Sequence, residues 1–246
     1  MARKSFKAGA LTAPLPPVMV TVGDMENANV LTVGWTGILS TIPPRTYVSV
    51  RPARHSYKLL KATGEFVINL TTANQARIVD YVGIYTGAKV DKFKECGLTK
   101  IESKEVKTPT IAECPLALEC RVVEVIPMGT HDVFIADIVS VSCDDSILDE
   151  AGKIRFDKAG LLAYAHGEYY ALGEKLGKFG FSTAKAAKAG QPKKSAKTEN
   201  KPKGTPVQNK TEKKEHREGA EENKKRPYYL DAPRKKGKPK GKGKRK

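Results

Sequence analysis

Cysteine, histidine and tryptophan are scarce in this chain. Its 246 residues include four Cys, four His and a single Trp. Cys96, Cys114, Cys120 and Cys143 contain no CxxC pair, and no two histidines stand four apart. Zinc sites are built from such pairs, so no metal-ligand pattern is present, and the thiols read as small buried residues of a reduced protein. No stretch approaches the ~20 apolar residues of a membrane span, and no signal-length apolar run stands near Met1. A cytoplasmic protein without a transmembrane segment is expected. No GxGxxG joins a strand to a helix, which argues against a Rossmann unit.

What is abundant is positive charge, and it is concentrated at one end. The formal net charge is +17. Residues 181–246 hold 23 Lys and Arg against 7 Asp and Glu, a balance of +16. Residues 1–180 hold 21 against 20, so the body is nearly neutral and the tail alone sets the basic character. Hydrophobic content is 39%, low for a chain that folds throughout. After Phe181 apolar residues almost vanish until Tyr228-Tyr229-Leu230. Such a segment buries too little apolar area to offset about 1–2 kcal/mol of backbone entropy per residue. Two parts are expected: a folded domain over residues 1–180 and a disordered Lys-rich tail over residues 181–246.

Within the body the hydrophobic period is mostly two. Val18–Val22, Asn29–Val33, Thr46–Val50, Gly64–Leu70, Leu116–Ile126, His131–Ser142 and Leu161–Ala165 read as strands. Val122-Val123 interrupts the alternation and predicts a bulge. Gly34 and Gly37 around Trp35 suggest a bend, and Pro43-Pro44 an extended connection. His55–Thr63 has helical spacing with Gly64 as its stop. Thr72 with Gln75 matches a capping box before a second helix over Asn74–Val82. Residues 83–100 read as loop. His131–Ser142 is apolar on both faces, with Val133, Ile135, Val139 and Val141 on one and Phe134, Ala136 and Ile138 on the other. That pattern predicts cover on both sides. The fold class is mainly β with small helices, an antiparallel barrel.

Polar groups gather where two strands end. Thr32, Ser49, Arg51, His55 and Ser56 supply hydroxyls, a guanidinium and an imidazole, and His55-Ser56 open a helix, where free N–H groups attract anions. They suit a phosphate-bearing aromatic small molecule. Singly they have plainer uses: Ser56 could cap its helix, Arg51 could pair with a surface carboxylate, and His131 could bond to Asp132. Trp35 could cover a ligand ring or sit in the core. Tyr164, Tyr169 and Tyr170 read as packing or dimer residues.

The order of short motifs resembles the flavin reductase-like family. They run Asn29-Val30-Leu31-Thr32, Trp35-x-Gly37, Ser40, Pro43-Pro44, Ser49-Val50-Arg51, His55-Ser56-Tyr57, and Gly64 to Leu70. Gly87, Asp91-Lys92-Phe93, Glu113-Cys114-Pro115-Leu116, Gly129-x-His131-Asp132, and Leu172-Gly173 with Leu176-Gly177 complete the series. The resemblance covers about residues 15–180. It implies a split β-barrel that binds FMN, with FAD open, as a homodimer with the flavin near the interface. It implies that Asn29, Val30, Leu31, Thr32, Ser49, Val50 and Arg51 line the flavin and that His55, Ser56 and Tyr57 hold its phosphate tail. Lys92 becomes a further phosphate or ring contact, and His131 a residue that positions a nicotinamide.

Three functions follow. The first is NAD(P)H-dependent reduction of flavin, or of an acceptor through bound FMN. The second is a flavoredoxin-like carrier fed by a redox partner protein. The third is a nucleic-acid-binding protein acting through its tail, whose charge suits weak nonspecific polyanion binding. The tail could equally be a solubilising appendage.

Overall fold

A computed structural model describes residues 3–183. The expectations for residues 184–246, a disordered tail and its polyanion binding, lie outside the described residues. The chain order is β1 (Val18–Val22), β2 (Asn29–Val33), β3 (Thr36–Thr41), β4 (Pro44–Val50), α1 (His55–Thr63), β5 (Glu65–Leu70), α2 (Ala76–Ile84) and α3 (Lys92–Cys96). It continues with β6 (Lys100–Ile101), β7 (Thr110–Ile111), β8 (Leu116–Pro127), β9 (Asp132–Cys143), β10 (Leu162–Ala165) and β11 (Glu168–Ala171). Seven strands form one antiparallel sheet in the order β2-β1-β5-β8-β9-β4-β3.

The sheet curls so that alternate residues of nearly every strand meet inside it. Val20, Leu31, Val48, Phe66, Cys120 and Phe134 share one core with Leu60 of α1. Phe66 and Phe134 are fully buried, and each such side chain stabilises the fold by roughly 1.5–3 kcal/mol. β2 is an edge of the sheet and is not hydrogen-bonded to β4, yet the two strands lie close together. The barrel is therefore split along that seam. On its outer side Met19 and Val30 pack under Val79 and Val82 of α2 and Phe93 of α3, in a second core.

Local signals explain the helix limits. Gly64 ends α1 in the left-handed region, at φ 65°. Thr72 and Gln75 form the capping box, as a 3-10 turn over Ala73–Gln75 that leads into α2. α2 runs two residues past the expected Val82. Asp91 caps α3, accepting from Phe93 N and Lys94 N. That helix falls where a loop was expected, because the cap and Gly97 permit a helix too short to show periodicity.

Three other expectations change. Thr36–Thr41 is a strand, paired with β4 through a tight turn at Ile42-Pro43, so Pro43-Pro44 closes a hairpin instead of extending the chain. Pro44 sits at a strand start next to the turn, where a missing donor costs little. β11 pairs with β10, although Glu168–Ala171 has little apolar alternation. Only one face of β9 is covered by the described residues. Phe134 and Ala136 are buried, while Val133 and Ile135 are half-buried and Val141 is exposed. The predicted bulge in β8 is present, with a register shift between Val122 and Glu124. No helix among the described residues is long and apolar enough to cross a membrane.

Candidate functional site

The seam between β2 and β4 opens into a cleft with two connected compartments. The larger, about 390 Å³, is bounded by Leu31–Val33 and Ser49–Arg51, with Trp35, His131 and the β10–β11 tyrosines around it. The smaller, about 100 Å³, lies between Asn29, the start of α1, Gly87 and Lys92. Leu31, Thr32, Arg54 and Gly83 line both. The larger volume falls within the ~300–1,000 Å³ usual for cofactor sites.

The smaller compartment has an open helix end and a buried cation. The N-cap position of α1 is Arg54, in extended backbone, and no side chain caps the helix. Its first N–H groups are thus left without side-chain acceptors, and no acidic residue stands in the first turn. Ser56 is buried and does not cap; its Oγ accepts from Asn29 Nδ2 at 2.6 Å. The Ser56 hydroxyl proton remains available to a ligand. Asn29 in turn needs Gly87, where a Cβ would lie 2.3 Å from the Asn29 Oδ1.

Lys92 is only 4% exposed, yet no carboxylate pairs with it among the described residues. Its Nζ donates to Val30 O and Val82 O, each at 2.8 Å. Burial, and then the charge of Arg54, push its ammonium down to about 8. A buried cation without a counter-charge favours an arriving anion.

The larger compartment joins a backbone-lined wall to aromatic ones. Thr32 Oγ1 donates to Val79 O at 2.5 Å and fixes β2 to α2. Trp35 and His131 meet with ring centroids 4.6 Å apart. The Arg51 Nε–H donates to His131 Nε2 at 3.4 Å, and His131 Nδ1 lies 2.9 Å from Thr130 Oγ1. With Nε2 accepting, Nδ1 carries the proton. Burial, then Arg51 and Arg54, lower the His131 pKa, so the ring is neutral near pH 7. On the opposite wall Tyr169 donates to Asp80 Oδ1 at 3.2 Å. Burial, then Asp80, push the Tyr169 phenol up to about 12, so it keeps its proton.

The cleft thus gathers Asn29, Leu31, Thr32, Ser49, Val50, Arg51, His55, Ser56, Lys92 and His131. Two expected residues are not brought there. Val30 is fully buried beneath α2, because it points to the opposite face of β2 from Leu31, and only its carbonyl reaches Lys92. Tyr57 is half-buried against the barrel core; its hydroxyl donates to Asp132 Oδ2 at 2.5 Å, and its ring packs edge-on against Phe134. Asp132 is therefore occupied by Tyr57, and His131 does not bond to it. Arg54, which opens the Arg54-His55-Ser56-Tyr57 turn, was not among the residues assigned to the flavin, yet it lines both compartments. Asp80, Tyr164 and Tyr169 reach the cleft only through tertiary packing, which no local pattern announces.

Residues 11–173 match the flavin reductase like domain. The chain belongs to the flavin reductase-like family. Among curated relatives, an uncharacterised protein of Archaeoglobus fulgidus is 36% identical over 143 residues, covering 58% of this chain and 80% of the relative. The flavoredoxin of Desulfovibrio vulgaris (Miyazaki F) is 34% identical, with a TM-score of 0.69 over 75% of this chain and 100% of that one. An FMN-binding protein from Thermus thermophilus, solved with bound 1-cyclohex-2-enone, is 26% identical, with a TM-score of 0.61 over 72% and 97%. This member of the flavin reductase-like family shares their mostly β, split-barrel fold, and its cleft lies on the seam of that barrel.

Proposed function

We propose that the protein binds FMN in the split-barrel cleft and acts as an oxidoreductase that takes electrons from NAD(P)H. The observation that carries this reading is the pairing of a small, uncapped helix-end compartment with a larger compartment walled by strand ends and aromatic rings. A monophosphate tail matches the first and a flat ring system the second. Asn29, Ser56, Lys92 and the first N–H groups of α1 would hold the phosphate. Leu31, Thr32, Ser49 and Val50 would flank the ring. FMN, when bound, supplies the capacity to accept a hydride and pass electrons onward. The protein's part is placement: neutral His131 and Trp35 bound the larger compartment where a nicotinamide would have to enter.

A second reading is a flavoredoxin-like carrier, which the 34% identity with the Desulfovibrio flavoredoxin favours. Stopped-flow mixing of the FMN-loaded protein with NADH and NADPH separates the two. Bleaching within turnover time supports the enzyme. Bleaching only by a reduced partner protein supports the carrier. A folded, colourless protein that takes up no added FMN at micromolar concentration removes both.

We further propose a homodimer. Ile38 and Leu39 of the edge strand β3, with Val123 and Val125 of β8 and Val141 of β9 in the middle of the sheet, are exposed apolar residues. A second copy of the same surface would cover the open face of β9. Light scattering at micromolar protein measures the mass directly.

A further inference from the structure

The cleft has two cationic stations, and a monophosphate needs only one. The smaller compartment, at about 100 Å³, already offers the Ser56 hydroxyl, Lys92 and the helix N–H groups. Arg51 is not part of it and lines only the larger compartment. Its guanidinium is exposed and joins no ion pair among the described residues. Its one hydrogen bond there is the Nε–H to His131 Nε2 at 3.4 Å, which leaves four N–H groups uncommitted. Arg54, the other arginine of this wall, gives an Nη1 proton to Gly83 O at 3.2 Å. The acid lining the larger compartment, Asp80, is taken by Tyr169.

A permanently charged planar fork, steadied at one nitrogen and open at the rest, fits phosphate oxygens. We propose that Arg51 is a specificity-determining residue that binds a phosphate of the electron donor, a phosphorylated dinucleotide, while the FMN phosphate occupies the Asn29–Ser56–Lys92 compartment. The assignment rests on reading the cleft as a flavin site fed by such a donor. Either the pyrophosphate common to both nicotinamide dinucleotides or the 2′-phosphate of one of them presents the required oxyanion.

The test uses FMN-loaded wild type, Arg51→Gln, Arg51→Lys and Ser56→Ala. Each is titrated with FMN and mixed with NADH and with NADPH over a range of salt. Arg51→Gln should raise the donor concentration for half-maximal bleaching about 10- to 100-fold, with FMN affinity within about threefold of wild type. Its donor binding should also lose part of its salt dependence. Arg51→Lys should recover part of the loss, and Ser56→Ala should weaken FMN without changing donor saturation. An equal loss with both donors assigns Arg51 to the pyrophosphate; a larger loss with NADPH assigns it to the 2′-phosphate. The assignment is overturned if Arg51→Gln loses FMN as strongly as Ser56→Ala, or if it saturates with both donors as wild type does. If wild type is bleached by neither donor, the donor-fed reading fails and takes the assignment with it. A bleached wild type beside an indifferent Arg51→Gln sinks the assignment alone.

Discussion

Gly87 lies against Asn29 so closely that a methyl group on its Cα would stand 2.3 Å from Oδ1 and 2.9 Å from Nδ2 of that side chain. Only hydrogen fits there. Gly87→Ala must displace the Asn29 amide and break its bond to Ser56. The expected result is a lower melting temperature, from a loss of about 1–3 kcal/mol, together with weaker FMN binding. Thermal denaturation with and without FMN checks both, since a purely structural effect would leave the affinity of the folded fraction unchanged.

Lys92 supplies a pH signature. Its ammonium is held down to about 8, against an ordinary value of 10.5, chiefly by burial. Between these values the unfolded chain binds the extra proton, so raising the pH favours the folded state by an amount on the order of 2–3 kcal/mol. Below about 8 both states are charged and the pH dependence from this group disappears. Urea denaturation of the FMN-free protein at pH 7.5 and 10 should reveal the gain, and Lys92→Met should lack it. FMN affinity should fall as pH rises above about 8, because the cation beside the phosphate is lost. A flat affinity in that range would exclude Lys92 from phosphate binding.

Tyr57 offers a negative control for the site. Its hydroxyl binds Asp132 and its ring packs against the barrel core, so Tyr57→Phe should leave FMN affinity unchanged. It should lower the melting temperature modestly, because the hydrogen bond to Asp132 is lost. Equilibrium unfolding and FMN titration of one preparation give both numbers.

Phe134 is fully buried in that core and touches the Tyr57 ring. Phe134→Ala removes the largest inward side chain of β9 and should cost roughly 3–5 kcal/mol, a large share of the ~5–15 kcal/mol by which a domain is usually stable, and so lower the melting temperature sharply. Circular dichroism melts would show it.

Much of this fold was legible because short-range signals and long-range packing agree. Gly64, the Thr72–Gln75 box and the Val122 bulge each act through backbone conformation within a few residues, and each stands where the sequence places it. The strand termini of the cleft were readable for a similar reason: alternation assigns Leu31 and Ser49 to definite faces. Other features depend on the whole fold. α3 is too short to carry a period, and β11 has almost no apolar alternation. Val30 was grouped with its neighbours although the pleat turns its side chain to the other face. Asp80, Tyr164 and Tyr169 come from separate elements and meet only once the barrel has formed. Tyr57 shows the reverse case, where a residue adjacent to the cleft in sequence turns its side chain away, to Asp132 and the margin of the core.

The single indole of the chain, Trp35, stands 41% exposed in the wall of the larger compartment, with its ring centroid 4.6 Å from that of His131. Every photon of tryptophan emission from this protein therefore originates at the mouth of the cleft. The molecule carries its own optical gauge of occupancy: an added nucleotide that enters should change the intensity or colour of that light without any label, and one that binds elsewhere should leave it dark to the event.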